Sequence, residues 1–291
     1  MVLAVVLMIL SMLSISAGAT LAKGVLPLLG GPLLTTLRLA LASGLLLIYA
    51  RPWQYKFSWK TSKLIFLYGA ALGIMNLCFY LSLKFLPLGI AMAFEFTGPL
   101  TLALLSTKQR QDLLWVFSAI AGVVLLMPIS KASTYLDPLG IALALGAGVC
   151  WALYILAGRR LAVTTFEKDL PGGAVVTMGM CVATVVVLPI GLSLGNLTRM
   201  NTHLWILVLG VALLSGAIPY TLEMAALKRV STKTYGILIS LEPAMGAFFG
   251  YLFLSEHISW LQGVAIALIV IASAGSTYSE NQRRRLLETV N

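Results

Sequence analysis

Apolar runs of membrane-crossing length alternate with short polar breaks along almost the whole chain. A helix needs about 20 such residues to span a bilayer. Ten runs qualify, at roughly 2–22, 32–50, 64–83, 87–107, 113–130, 138–157, 172–192, 204–226, 234–254 and 258–278. Inside hydrocarbon each backbone N–H and C=O has to be paired within the protein, so these runs are expected to be helices. The breaks Lys84-Phe85-Leu86 and Ser255-Glu256-His257 are short enough to predict helical hairpins. The expected fold class is all-α and membrane-integral, with no loop long enough for a separate domain.

Composition sharpens this. Hydrophobic residues make up 59% of the 291 and charged ones 10%, against about 25% charged in soluble domains. A net charge of +10 raises the question of nucleic acid, but the basic residues fall in alternate breaks. With a cytoplasmic N-terminus, fifteen Lys and Arg lie on the inner side, including Arg283, Arg284 and Arg285. Four lie outside (Lys23, Lys84, Lys131 and Arg199), and Arg38 falls within a span. That bias predicts both termini in the cytoplasm and argues against a nucleic-acid partner. The Arg283–Arg285 run serves as a topology anchor and also suits anionic membrane lipid. The N-terminus is apolar without a basic n-region, which reads as a first span rather than a cleaved signal. Cys78, Cys150 and Cys181 stand singly in apolar runs, so neither a disulfide framework nor a metal site is expected. No Walker-type phosphate loop occurs. Any transport would draw on a gradient.

A weak internal repeat organises the runs. An offset of 144 lays Leu83-Lys84 on Leu227-Lys228, Pro99 on Pro243 and Asp112 on Glu256, whereas Gly69 meets Gly210 at an offset of 141. A few residues are therefore inserted in the eighth run. Five spans per half is an odd number, so the halves enter the membrane in opposite directions. The expected organisation is a 5+5 inverted-topology repeat, with 1–134 and 135–280 as the two repeats and 281–291 as a basic tail. Such a repeat places a substrate near the midplane and lets the halves rock about it.

Candidate chemistry gathers on helix faces spaced by three and four residues. These are Ser11, Ser14 and Gly18; Gly69, Gly73, Asn76 and Tyr80; Ala147, Trp151, Tyr154 and Gly158; and Gly216, Pro219 or Tyr220, and Glu223. Either a cavity wall or close helix packing explains such faces. Ionisable groups within the runs are costly and need a reason. Arg38 suits a bidentate clamp on a substrate carboxylate, or a bond to helix carbonyls. Glu95 and Glu242 each adjoin a proline, Pro99 and Pro243. A proline frees the carbonyl four residues before it, and freed carbonyls beside a carboxylate form a site for an ammonium group. A proton-relay role and a purely structural hydrogen bond also fit these acids. Gly98, Pro99, Pro219 and Pro243 are the hinge candidates. His203 and His257 lie at span ends, and no catalytic constellation is found, so an enzyme is not expected and no cofactor is implied.

The motifs Leu21-Ala22-Lys23, Thr36-Leu37-Arg38-Leu39-Ala40, Pro87-Leu88-Gly89-Ile90-Ala91 and Glu95-Phe96-Thr97-Gly98-Pro99-Leu100 recur in order with Cys150-Trp151-Ala152, Pro219-Tyr220, Leu222-Glu223-Met224 and Leu241-Glu242-Pro243-Ala244. Together they resemble the EamA-type exporters of the drug/metabolite transporter superfamily over essentially the full length, and within them the threonine/homoserine exporter branch. That resemblance implies ten helices, a bacterial inner-membrane location and efflux of small amino acids by alternating access. Asn76, Tyr80, Glu95, Trp151, Tyr154, Tyr220, Glu242 and Arg38 are the expected substrate-site residues, with protons as a candidate coupling ion. The rival cargoes are lipophilic cations, aromatic amino acids or other metabolites. A non-transporting membrane scaffold is the rival of another class.

Overall fold

A computed structural model of the chain describes residues 2–105, 112–126, 136–167, 171–195, 197–227, 239 and 241–290. Among the described residues the regular structure is entirely helical. The helices are α1 (Val2–Leu29), α2 (Gly31–Ala50), α3 (Trp59–Ser82), α4 (Leu88–Leu105), α5 (Asp112–Leu126), α6 (Pro138–Glu167), α7 (Gly172–Leu194), α8 (Thr202–Ala212), α9 (Ile218–Leu227), α10 (Glu242–Leu254) and α11 (Trp260–Val290). A π turn, Leu213–Ala217, joins α8 to α9 without a break. Among the described residues six stretches are long and apolar enough to cross a membrane: Val6–Leu29, Gly31–Ala50, Trp59–Ser82, Pro138–Leu161, Gly172–Leu194 and Thr202–Leu222. Leu88–Leu102 and Trp260–Ala272 are shorter apolar helices. The chain is thus a multi-pass membrane protein. The expected boundary at 134, the first half of the 234–254 run, and the side chains of Glu223 and Arg283–Arg285 lie outside the described residues or side chains.

Local chemistry accounts for the helix ends. Ser58 caps α3 by accepting from the Thr61 N–H, and Asn201 caps α8 by accepting from the Leu204 N–H at 2.8 Å, each filling one orphan donor of a first turn. Gly30, at φ 75°, separates α1 from α2 in a conformation a side chain would resist. The apolar pattern puts Lys23 in a loop, but the structure puts it inside α1, which runs on to Leu29. Its ammonium is satisfied there by Glu256 Oε1 and the Leu86 carbonyl, at 2.7 Å from the latter. The charge therefore does not force the chain out of the helix.

Large apolar side chains cover the outside as well as the core, and polar groups are buried among them. Ile48, Tyr49, Leu194 and Trp260 are exposed, while Ser11, Thr36, Arg38, Asn76, Glu95 and Ser215 are buried. Chain neighbours are not the main packing partners. After the turn at Ser82–Leu86, where the Phe85 and Leu86 N–H groups both donate to the Ser82 carbonyl at 2.9 Å, α3 and α4 diverge. The principal contacts are α1 with α9, α2 with α7, α3 with α6 and α7, α4 with α6 and α10, and α5 with α11. Each helix before residue 127 thus packs chiefly on one after residue 135. Two crossings require glycine. A Cβ on Gly98 would collide with the Gly148 carbonyl of α6, and one on Gly18 would sit 2.7 Å from Ser215 in the π turn. Close backbone approach of this kind is how helices associate where lipid is as apolar as leucine.

Candidate substrate site

Helix α2 carries Arg38 into the interior, where it is 2% exposed. Its Nη1 donates to the Ser215 carbonyl at 2.7 Å and to Ser215 Oγ at 3.0 Å, and its Nη2 donates to Asn76 Oδ1. Asn76 in turn donates through Nδ2 to the Leu72 carbonyl at 2.8 Å, which fixes its amide. The Tyr80 ring lies against the guanidinium, 4.9 Å from its carbon, a distance suited to a cation–π contact. Asn76 and Tyr80 stand four apart on α3 and so share one face. Ser215 completes the group: its hydroxyl donates to the Val211 carbonyl at 2.7 Å and lies 3.3 Å from Tyr80 Oη.

The acidic side comes from other helices. Glu95 on α4 is buried, and its carboxyl has no hydrogen-bond partner among the described residues. Glu242 and Arg38 both act on it electrostatically. Glu242 opens α10, with Pro243 in its first turn. Aromatics from α6 and α9 finish the wall. Trp151 meets Phe96 edge-on at 6.0 Å, and Tyr154 accepts from Tyr68 Oη at 2.9 Å. The cavity is lined by all eight residues expected from sequence, namely Arg38, Asn76, Tyr80, Glu95, Trp151, Tyr154, Tyr220 and Glu242. Ser215 and apolar groups such as Ile15, Met75 and Met92 line it too, and sequence reading missed them.

Size limits what the cavity takes. Water-sized contents have about 80 Å³ to occupy, where one water needs about 10–15 Å³ by that measure. The space suits a solute of several heavy atoms carrying both charges. It is small beside the 300 Å³ or more of about the smallest drug pockets.

The hinge candidates have distinct settings. Helix α4 continues through Pro99, so the interruption expected there is absent from the helix path. Pro219 lies two residues beyond the π turn, in the first turn of α9, and Pro243 lies in the first turn of α10. Several faces read as polar serve packing instead. Ser11 and Ser14 donate to the Pro219 and Leu214 carbonyls at 3.3 and 2.6 Å, seating α1 on the π turn and α9. Gly69 and Gly73 admit α7.

Known proteins resemble this chain in both sequence and fold. The model of the EamA-like transporter family matches residues 138–278. The threonine/homoserine exporter RhtA of Escherichia coli (strain K12) is 41% identical over 284 residues, 98% of this chain and 94% of that one. RhtA of Salmonella typhimurium (strain LT2) is 42% identical over 273 residues, 94% of this chain and 90% of its own. A protein crystal structure 21% identical in sequence superposes with a TM-score of 0.63 over 97% of this chain and 98% of its own, and so shares the fold. An identity of 41% across nearly the full length of both chains, with the family model on the second half, places this chain in the EamA-like transporter family.

Proposed function

We propose that the protein exports small amino acids of the threonine and homoserine type across the bacterial inner membrane, by alternating access of two inverted five-helix halves with both termini cytoplasmic. The observation that carries the reading is one small cavity lined by Arg38 and by Glu95 and Glu242, in a chain so close to proteins named as threonine/homoserine exporters. Glu95 and Glu242, with the Glu95 carbonyl that Pro99 leaves without its helical donor, receive the ammonium end. Tyr154 and Tyr220 are placed for a side-chain hydroxyl.

The packing pattern supports the repeat. In the 5+5 scheme α1 corresponds to α6, α2 to α7, α3 to the rod formed by α8, the π turn and α9, α4 to α10, and α5 to α11. Exchanging the halves turns the α1–α9 contact into α6–α3, and α4–α6 into α10–α1, all of which occur. The pairs α2–α7, α4–α10 and α5–α11 map onto themselves. The bias of basic residues, fifteen inside against four outside when the N-terminus is cytoplasmic, favours cytoplasmic termini.

Counterflow in proteoliposomes tests the reading. Threonine and homoserine are expected to exchange, and tetraphenylphosphonium is not; a pH gradient across the vesicle shows whether protons are coupled. Exchange of the cation with none of either amino acid would refute it.

A further inference from the structure

We propose that Arg38 is the receptor for the substrate's carboxylate, and that the π turn positions it through Ser215. The proposal rests on the exporter reading above and assigns one end of the same site. Arginine remains charged in proteins and offers five N–H donors. Three of those donors are taken, by the Ser215 carbonyl, Ser215 Oγ and Asn76 Oδ1. The other two, on Nε and Nη2, have no acceptor, and Nε is fully buried. All three acceptors are neutral. The ion pair among the described residues is Lys23 with Glu256, so no carboxylate neutralises Arg38 directly. A buried cation whose hydrogen-bond acceptors are all neutral is costly. Glu95 lines the same cavity and acts on the guanidinium without bonding to it, so the vacant donors of Arg38 suit an anion small enough for the cavity. An amino acid's carboxylate has two oxygens for two vacant N–H groups, while its ammonium meets Glu95 and Glu242.

The bracing follows from sequence. In a regular helix the Ser215 carbonyl would accept from the N–H of residue 219, but that residue is Pro219, which has none. The carbonyl is released, and Arg38 takes it. The Ser215 hydroxyl is also saturated. It donates to Val211 and accepts from Arg38 and Tyr80, filling its one donor and two acceptor positions. With the Tyr80 ring beside it, the guanidinium has one orientation. Ser215 is accordingly a positioning residue, acting through Arg38.

The test compares threonine with 1-aminopropan-2-ol, which keeps the ammonium and hydroxyl but lacks the carboxylate, and with threonine methyl ester, which masks it. Each is offered as a competitor of threonine counterflow. Wild type is expected to prefer threonine at least tenfold. Arg38→Gln is expected to collapse that preference, and Arg38→Lys and Ser215→Ala to weaken it about tenfold, near the low end of what loss of one charge-assisted hydrogen bond costs. A purely structural Arg38 would lower all fluxes and leave the preference intact. If Arg38→Gln does not fold, the other two variants give the same ratio. If wild type moves threonine and every folded variant keeps its preference, the carboxylate assignment is wrong while the exporter reading stands. If wild type moves neither threonine nor homoserine, both fall.

Discussion

At the residue scale, the site depends on ionisable groups that neutral helices leave incompletely answered. Glu95→Gln keeps the shape of the side chain and removes the charge. Loss of a charge-assisted bond to the substrate, about 1.5–3 kcal/mol, is expected to reduce threonine counterflow at least tenfold, with little change in the melting temperature of the purified protein. Flux at the wild-type level would take the carboxylate out of the mechanism. Most of these residues were legible in the chain because polarity is rare in apolar runs. Asn76 and Tyr80, or Trp151 and Tyr154, stand out by their three- and four-residue spacing. Ser215 was not legible in this way. A serine is cheap in a membrane helix, and its importance arises from the local winding and from Pro219, which breaks its carbonyl's usual bond. The trace it left was indirect: the repeat offset changes from 141 to 144 between Gly210 and Leu227, the stretch that contains the π turn.

Among the elements, close crossings set the architecture. Gly98 was read as a hinge, and in the structure it abuts Gly148 where α4 crosses α6. Gly98→Ala would drive a methyl group into the Gly148 carbonyl. Overpacking of this kind costs about 1–3 kcal/mol, measurable as a lower unfolding midpoint in detergent. An unaltered midpoint would show that α4 and α6 part easily at this point. The face Ser11, Ser14 and Gly18 illustrates the limit of reading faces from sequence. The same small polar residues suit a cavity or a helix contact, and only the position of the partner decides. Here the partner is the irregular rod of α8, the π turn and α9, whose carbonyls receive both hydroxyls. Lys23 was misplaced for a related reason, because a lysine ends an apolar pattern even where Glu256 lets the helix continue.

At the scale of the whole molecule, Lys23 and Glu256 bind distant parts together. Lys23 holds Glu256 and the Leu86 carbonyl, while Glu256 Oε2 accepts the Leu88 N–H at 2.8 Å. The clasp thereby joins α1, the α3–α4 turn and the link between α10 and α11. Its side chains are 20% and 11% exposed, so solvent screens it in part. Lys23→Gln is expected to cost roughly 1 kcal/mol, seen as a few degrees of melting temperature, and the swap of Lys23→Glu with Glu256→Lys to recover part of it. Topology is checked separately: a green fluorescent protein fused after Asn291 is expected to fluoresce, as it does when it stays on the cytoplasmic side. A dark fusion together with active alkaline phosphatase at the same point would reverse the orientation.

The π turn has a wider consequence if the halves are inverted copies. Two identical halves would line their common cavity twice with the same groups, and such a cavity has no direction. An amino acid has unlike ends. An α-helix turns by about 100° per residue, so the three residues by which the offset grows between Gly210 and Leu227, the stretch that holds the wider turn Leu213–Ala217, would shift the face presented beyond it, Pro219 and Tyr220 included, relative to α3. In such a repeat the insertion would break the two-fold relation along this helix. The winding of one helix would then give the cavity a head and a tail for such a ligand.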